Sequence, residues 1–356
     1  MQKEKQQRKK AGTSGRIRRS TMSMISTGTK TLDSLFDGGV RTKVLSLIFS
    51  VPNLGKTWFC YQLACSCTRP IKSGGLGKKV LYLDTEGFFF TEDIEARFRK
   101  YFKARWPDCK PEDIEMEHVE DIFKLGALFG IRFEILQEEK RVSVVAQFPT
   151  ALQNKIAEKK KMPKDPDEKK ETKSKFQKVD KGQSTQKDKD WIEKAPIWQK
   201  IKTGEYGLIV IDSITVPIKS EIPAATQNFP ARTSLLQTLL GACYPIARRG
   251  DVAIFITDHI TSNPMGPGYA YGIGNPWGGN NLLYYIKHIF GLYRGLKDQC
   301  EKYAPDGQRV RRMQRYRFPG LDQTTVAVKL EKDKGYADLP DGGMAQPASA
   351  GTGEEA

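Results

Sequence analysis

The segment Ser50–Thr57, Ser-Val-Pro-Asn-Leu-Gly-Lys-Thr, constrains the fold of this chain more than any other stretch. It follows an apolar run, Val44–Phe49, that is typical of a buried strand, and it precedes a predicted helix, Thr57–Cys67. Its spacing is that of the phosphate-binding loop GxxxxGK[ST], with Ser50 in place of the first glycine. Such a loop points backbone N–H groups at a phosphate at the positive end of a helix. The segment therefore predicts a nucleotide-binding α/β fold.

The residues of this loop have expected roles in binding a nucleotide. We expect the Lys56 ammonium to reach the β- and γ-phosphates of ATP and the Thr57 hydroxyl to ligate Mg²⁺. Gly55 gives the backbone freedom that the tight turn needs. The other loop residues expected to bind the nucleotide are Ser50, Asn53 and Leu54. The alternative is a chance Gly-Lys-Thr between a strand and a helix, which the Cβ of Ser50 favours slightly.

Two carboxylates follow predicted strands and complete a candidate site. Asp212 ends the apolar run Gly207–Asp212, where a carboxylate can hold the Mg²⁺ shell. Glu86 follows the strand Val80–Leu83 at the edge where ligands bind in open α/β sheets. There it could orient and deprotonate the water that attacks the γ-phosphate, as a catalytic base. The alternatives are a helix cap or turn residue for Asp212 and a capping carboxylate for Glu86.

Helical and strand patterns alternate along the chain, which favours an α/β class with a mostly parallel twisted sheet flanked by helices. The predicted strands are 44–49, 79–83, 207–212, 252–257, 288–293 and 324–330. The predicted helices are 31–36, 57–67, 92–102, 192–203 and 233–249. Signals for helices and strands are weaker after the helix 92–102, up to about residue 152. The sequence thus predicts an α/β P-loop core over 22–337.

Most of the net charge of +16 lies outside that predicted core. The first 20 residues hold eight basic side chains and one acidic one, and residues 155–190 hold thirteen lysines against eight acidic side chains. Both segments lack the apolar residues that folding requires. We therefore predict a disordered basic arm over 1–21, a charged low-complexity insertion over 153–190 and a disordered tail over 338–356. Their charge is at most a tether for nucleic acid.

Composition excludes several classes of protein. The six cysteines include no CxxC pair, and the three histidines are scattered, so no zinc motif is present. No run of about 18 apolar residues predicts a transmembrane helix, and no apolar segment follows the basic N-terminus as in a secretory signal. We expect a cytoplasmic protein, nucleoid-associated if prokaryotic, with no membrane partner.

Several segments, in order and spacing, resemble the RecA/RadA recombinase family on its archaeal and eukaryotic branch. They are Ile25–Asp33 with Gly38-Gly39, the loop Ser50–Thr57, Leu81–Phe89, Leu208–Ile214, Phe255–Ile260 and the Pro-Trp-Gly-Gly stretch at 276–279. The resemblance covers roughly residues 22–335 without the insertion. It implies that Glu86 activates water, that Asp212 is the Walker B aspartate, and that His259 takes the place of a glutamine that senses the γ-phosphate. The alternative for His259 is that it only closes a strand.

The resemblance also implies two DNA-binding loops. The first spans about Pro217–Ala231, contains Lys219 and ends near Arg232. The second spans about Thr261–Asn281, where glycines give mobility and aromatic side chains can stack on single-stranded DNA. The aromatic residues expected to do so are Tyr269, Tyr271 and Trp277. The alternative is a flexible loop that packs its aromatic rings on the core. An arginine run at 309–317 is more typical of a solvated β-ribbon than of a DNA reader.

Three family features have no match here. No helix-hairpin-helix domain precedes the predicted core, no Phe-x-x-Ala tether links protomers, and Phe88–Thr91 stands where the family has an adenine-stacking arginine. With these departures, the layout of the chain is similar to that of RadB-type proteins, which predicts a core-only paralogue.

Three functional hypotheses remain open. The leading one is an ATP-binding protein that binds single-stranded DNA, hydrolyses ATP slowly in a DNA-dependent manner, and acts in homologous recombination and repair, with a recombinase or a second copy as partner. The second is a mediator that binds ATP without hydrolysing it. The third is another RecA-fold ATPase, such as a KaiC-like regulator or a helicase.

Overall fold

The computed structural model describes residues 22–89, 92–138, 141–147, 190–261, 274–304, 309–342 and 346–347. The expected arm at 1–21 and nearly all of the expected insertion lie outside the described residues. So do Tyr269 and Tyr271, two of the aromatic residues expected to stack on DNA.

The described residues form fifteen strands and ten α-helices. The strands are β1 (Met24–Ile25), β2 (Val40–Arg41), β3 (Leu45–Ser50), β4 (Lys79–Asp84), β5 (Ile114–His118), β6 (Arg132–Glu138), β7 (Arg141–Gln147), β8 (Tyr206–Asp212), β9 (Ala253–Thr261), β10 (Asn275–Pro276), β11 (His288–Arg294), β12 (Val310–Arg317), β13 (Thr324–Glu331), β14 (Gly335–Ala337) and β15 (Gln346–Pro347). The helices are α1 (Lys30–Leu35), α2 (Lys56–Thr68), α3 (Glu92–Arg105), α4 (Ile122–Leu128), α5 (Asp190–Lys194), α6 (Pro196–Ile201), α7 (Thr215–Glu221), α8 (Phe229–Gly250), α9 (Leu282–Tyr285) and α10 (Lys297–Tyr303).

An 11-stranded sheet organises the molecule, with a main strand order β14-β13-β12-β11-β3-β9-β8-β4-β5. The six strands from β11 to β5 pair in parallel. The strands β12, β13 and β14 extend the sheet antiparallel on one side. Every residue of β3 and β8 is buried, as a parallel sheet covered on both faces requires.

Helices cover both faces of this sheet. One core packs α1, α2 and α3 against it, and the other packs α4, α5, α6, α7 and α8 against the opposite face. The predicted α/β class with a mostly parallel sheet flanked by helices is confirmed: the chain has a RecA-like core. The strand order also sets the position of the candidate site, because β3, β9, β8 and β4 are successive neighbours. Their carboxyl ends lie at one edge and carry the loop after Ser50, His259, Asp212 and Glu86.

Two local features differ from the expectation. The predicted helix 192–203 is two helices, because Pro196 begins a new helix and cannot continue the preceding one. The stretch of weak signals contains β5, α4 and a two-stranded antiparallel hairpin, β6–β7. This hairpin packs by β7 against α8.

Side chains distant in sequence hold both ends of the short helix α1. At its N-terminus, the Asp338 carboxylate accepts hydrogen bonds from the backbone N–H groups of Lys30 (3.0 Å) and Thr31 (2.8 Å). At its C-terminus, Arg315 Nε donates to the Leu35 carbonyl over 2.9 Å. Negative charge at a helix start and positive charge at its end match the helix dipole.

These contacts change the interpretation of two sequence features. Asp338, the first residue of the predicted tail, supplies acceptors for the first N–H groups of helix α1. The arginine run is not a solvated face: Arg315 is only 9% exposed, and Arg311 and Arg317 donate to the carbonyls of Leu54 and Leu283. The run holds neighbouring backbone segments in place.

We predict that Arg315→Met lowers the free energy of unfolding by about 2–3 kcal/mol, because buried carbonyls lose a charged donor. Urea denaturation measures the loss. The matched control is Arg249→Met, at an exposed arginine of α8, for which we expect a change within about 0.5 kcal/mol. Equal effects of the two substitutions would contradict the anchoring role of Arg315.

Candidate nucleotide-binding site

The loop Ser50–Thr57 is held in shape by its neighbours. Gly55 precedes α2 with φ of +108°, and a Cβ there would lie 2.7 Å from Tyr336 Oη and 2.8 Å from Leu330 Cδ2. The Tyr336 hydroxyl lies 3.2 Å from the Gly55 carbonyl, and Arg311 Nε donates to the Leu54 carbonyl over 2.9 Å. No side chain caps the start of α2. Its first N–H groups are therefore left for a ligand, as an anion site requires.

Ser50 fits the loop despite its Cβ. Its side chain is fully buried, its hydroxyl donates to the Val51 carbonyl over 2.7 Å, and its Oγ accepts from Lys56 Nζ over 3.2 Å. Asn53, on the exposed crest of the loop, takes a left-handed φ of +62°, which asparagine tolerates. Ser50 is therefore accommodated in the loop with its hydroxyl hydrogen-bonded.

The Lys56 ammonium points back into the loop. It is 6% exposed and lies 3.4 Å from the Val51 carbonyl and 3.5 Å from the Ser50 carbonyl. Burial lowers the pKa of Lys56, while the negative charges of Glu86 and Asp212 work against that shift. Its hydrogen-bonding partners are neutral oxygens of the loop, and an anionic phosphate would bind this cation more strongly.

Asp212 is buried beside the loop among hydroxyl groups. Its Oδ1 accepts from Thr257 Oγ1 over 2.5 Å and its Oδ2 accepts from Tyr82 Oη over 2.7 Å. Burial raises the pKa of Asp212, and hydrogen bonds from Thr257, Tyr82 and Thr57 oppose that rise. The structure thus brings together Thr57 and Asp212, the two residues predicted to ligate Mg²⁺. Tyr82 and Thr257 lie on predicted strands but were not predicted to belong to the site.

Glu86 and His259, predicted for separate roles, are in contact: His259 Nε2 lies 3.0 Å from Glu86 Oε1. Partial burial works to raise the pKa of Glu86, but hydrogen bonds with His259 and Ser213 outweigh it and lower the pKa below its usual value. The carboxyl is therefore ionised at neutral pH and able to accept a proton. The imidazole occupies one of its oxygens.

Asp258 is a charged residue of the site to which the sequence analysis gave no role. It is fully buried, and its Oδ1 accepts from Thr215 Oγ1 and from the His259 backbone N–H, each over 2.8 Å. Among the described residues its Oδ2 has no hydrogen-bond partner. Burial raises the pKa of Asp258 to about 7. The sequence signal that could have assigned Asp258 to the site is its position between Thr257 and His259.

The residues predicted to bind DNA have different surroundings in the structure. Arg232 is 6% exposed and its Nε donates to the Ile222 carbonyl over 3.0 Å, so it closes the end of α7 rather than facing a ligand. The DNA contact of Arg232 stays a prediction, and in this structure its guanidinium is engaged at the end of α7. Lys219 lies on α7 with its Nζ 5.6 Å from the centroid of the Trp277 ring. Trp277 in turn donates its backbone N–H to the His259 carbonyl over 2.9 Å.

Among the described residues no helix is both long and apolar enough to cross a bilayer. No group of three or more His, Cys, Asp or Glu side chains in the same ranges could hold a metal ion.

The N-terminal part of the chain is similar to known proteins. The Rad51 family model matches residues 18–104. This stretch is similar to the RecA/RadA family, as the sequence motifs led us to expect. It is 42% identical over 77 residues to the DNA repair and recombination protein RadA of Cenarchaeum symbiosum, covering 22% of this chain and 19% of that protein. It is 41% identical over 78 residues to the protein of the same description from Metallosphaera sedula, covering 22% and 24%.

The chain thus matches about a fifth to a quarter of the length of these relatives. The family match contains the loop Ser50–Thr57 and Glu86, whereas Asp212 and His259 lie beyond it. Those two residues are connected to the family segment by the sheet, since β8 and β9 lie between β3 and β4.

We predict that Gly55→Ala destabilises the protein more than Gly204→Ala does. Both glycines have positive φ, +108° and +80°, but a Cβ at Gly204 meets nothing within 4 Å. Gly204→Ala should cost only the left-handed strain of about 1–2 kcal/mol, whereas Gly55→Ala adds the contact with Tyr336. Urea denaturation compares the two, and equal losses would show that Tyr336 and Leu330 do not restrict the loop.

A second prediction concerns the stability of the protein as a function of pH. Because the pKa of Asp258 is about 7 in the folded protein and about 3.9 in an unfolded chain, the folded state binds the extra proton between these values. Asp258 should therefore destabilise the protein progressively as pH rises from about 4 to 7. Asp258→Asn removes the carboxyl that titrates. The free energy of unfolding of the variant, relative to that of the wild type, should therefore increase from about pH 4 to 7 and level off above pH 7. A gain independent of pH, in urea denaturation at several pH values, would contradict the raised pKa.

Proposed function

We propose that the chain binds ATP with Mg²⁺, binds single-stranded DNA and acts in recombination and repair as a slow, DNA-dependent ATPase. One observation carries the nucleotide part of this proposal. The carboxyl ends of four adjacent parallel strands place Lys56, Asp212, Glu86 and His259 at one edge of the sheet. The description of both relatives as DNA repair and recombination proteins supports the biological part.

The donor groups fit the two ligands. The loop has a glycine where a Cβ would clash, an uncapped helix start and a buried ammonium bonded to loop oxygens, which together suit a polyphosphate. The Thr57 hydroxyl and the Asp212 carboxylate are oxygen ligands of the kind that Mg²⁺ prefers. When bound, Mg²⁺ would neutralise charge that develops on the phosphate oxygens.

The residues of this chain would divide the work of hydrolysis. Lys56 and the first N–H groups of α2 bind and orient the β- and γ-phosphates. Glu86, ionised at neutral pH, accepts a proton from the attacking water. His259 fixes the orientation of the Glu86 carboxylate through their 3.0 Å contact. Because this contact engages a Glu86 oxygen, His259 must release it or share it with the water, which is a physical reason for slow turnover.

DNA binding is the less constrained part of the proposal. We assign it to the second loop, Thr261–Asn281, with Trp277 as a stacking residue and Tyr269 and Tyr271 as further candidates. We do not include Arg232 in this assignment, because its guanidinium donates to the Ile222 carbonyl. A recombinase or a second copy of the chain would be the protein partner.

A second candidate function is a mediator that binds ATP without hydrolysing it. The contact between Glu86 and His259 favours it, because a carboxylate held by an imidazole is a poorer base for water. ATP turnover with and without single-stranded DNA separates the two functions. Tight binding with no turnover in either condition would favour the mediator.

Lys56→Ala should weaken ATP binding by at least about 100-fold, because the loop loses its only buried cation among the described residues. Titration calorimetry in the presence of Mg²⁺ measures the affinity. The control is Lys72→Ala, at an exposed lysine, which should bind ATP as the wild type does. An unchanged affinity in Lys56→Ala would remove the basis for the nucleotide site.

Glu86→Gln should retain ATP binding within a few-fold and reduce turnover by about 10²–10⁴, the usual contribution of a general base. Phosphate release under saturating ATP, with single-stranded DNA present, measures the rate. If the variant hydrolysed ATP at the wild-type rate, Glu86 would not be the base.

A further inference from the structure

We infer that Lys219 is a second cation of the nucleotide site, which contacts the terminal phosphate of a bound nucleoside triphosphate, and that the Trp277 ring is its partner when that phosphate is absent. The inference rests on the proposed nucleotide site and adds a residue to it. It also reassigns Lys219, which the resemblance implied to be a DNA contact.

The position of helix α7 is the first support. This helix begins three residues after Asp212, and two hydrogen bonds fasten its start to β9. Ile214 donates its backbone N–H to the Thr257 carbonyl over 3.1 Å, and Thr215 Oγ1 donates to Asp258 Oδ1 over 2.8 Å. Lys219 lies four residues after Thr215 and so on the same face of α7. The lysine therefore lies on the face that meets the carboxyl end of β9.

The charges around Lys219 are the second support. The charged groups that act on its ammonium come from different elements: Asp258 on β9, Arg232 on α8, Glu86 after β4 and Lys56 on α2. Two of them, Lys56 and Glu86, are the residues proposed for the terminal phosphate and the attacking water. None of the ion pairs among the described residues includes Lys219. The ammonium thus lies near the phosphate site without a carboxylate partner of its own.

The contact with Trp277 is weak enough to be exchanged. The Lys219 ammonium lies 5.6 Å from the centroid of the partly exposed Trp277 ring, a cation–π contact that solvent weakens. A hydrogen bond between an ammonium and a phosphate is roughly twice as strong as one between neutral groups. A triphosphate would therefore draw Lys219 from the ring, whereas a diphosphate lacks the phosphate that lies nearest Glu86.

This exchange would link the nucleotide to the second loop. Trp277 is joined to the site twice, by its ring through Lys219 and by its backbone N–H through the His259 carbonyl. When Lys219 moves to the phosphate, one face of the ring is released. That face is then available for a base of single-stranded DNA.

Lys219→Met tests the inference, because methionine keeps most of the stem and removes the charge. The probes are AMP-PNP and ADP, each with Mg²⁺, titrated into the full chain. We expect the variant to bind AMP-PNP about tenfold more weakly, as for the loss of about 1.4 kcal/mol, and ADP within about twofold of wild type. Lys219→Arg should restore the preference for AMP-PNP, and the surface control Lys72→Met should change neither affinity.

Three outcomes would overturn the inference. Unchanged affinity for both nucleotides, with weaker binding of single-stranded DNA, would make Lys219 a DNA contact. An equal loss for both nucleotides would make it a structural residue. If the wild-type chain bound neither nucleotide, the proposed function itself would fail and the inference with it, and this result is visible before any variant is compared.

Tryptophan fluorescence gives a readout that a structural role would not move. The chain has five tryptophans, so Trp277→Phe isolates the contribution of the ring beside Lys219. We expect AMP-PNP, but not ADP, to change the emission of the wild type, and we expect Trp277→Phe and Lys219→Met each to lose that change. An identical change in wild type and Trp277→Phe would contradict the exchange of partners.

Discussion

The parallel pairing of β3, β9, β8 and β4 is the constraint on which the rest of the structure depends. Each of these strands is apolar and covered on both faces, so neither face of the sheet is available for a polar site. The charged side chains of these strands lie toward the strand ends. Because the four strands run in the same direction and are neighbours, their ends bring residues from positions 50 to 259 into one place. Chemistry at this edge follows from strand order rather than from any single motif.

The electrostatics of that edge explain why its residues act on each other. Lys56, Asp212 and Asp258 are buried, and burial works against the charged form of each of them. Each is compensated by hydroxyl groups, loop carbonyls or the opposite charges nearby. Such a set of buried charges is sensitive to an added anion, because a phosphate changes the charge balance of all of them at once. This sensitivity is the physical basis for extending the site to Lys219 and Trp277.

Much of this site could be predicted from the sequence, because its signals are local. The loop at 50–57, the strand that ends at Asp212 and the Asp-Thr-Glu-Gly turn with Glu86 are contiguous segments, and periodicity placed them on the correct elements. The division of the predicted helix at Pro196 was also predictable, since proline cannot continue a helix. The apolar pattern continues on both sides of Pro196 and so predicted one helix where there are two.

The contacts that were not predicted join residues far apart in the chain. Arg315 donates to Leu35, Arg311 to Leu54 and Asp338 accepts from Thr31, across 257 to 307 positions. A run of arginines in a sequence shows charge but not the carbonyl that each one will meet. The partners of Arg232 and Glu86 were likewise not predictable from the sequence. Arg232 donates to the Ile222 carbonyl, and Glu86 contacts His259, which is 173 positions away.

The central claim is that these strand ends form one site for ATP and Mg²⁺. Titration calorimetry of the wild-type chain with ATP, with Mg²⁺ present and with Mg²⁺ chelated, tests it most directly. The structure leads us to expect saturable binding of one ATP per chain that is tighter with Mg²⁺, because Thr57 and Asp212 would hold the ion against the phosphates bound by Lys56. Binding that does not saturate, or an affinity that Mg²⁺ leaves unchanged, would contradict it.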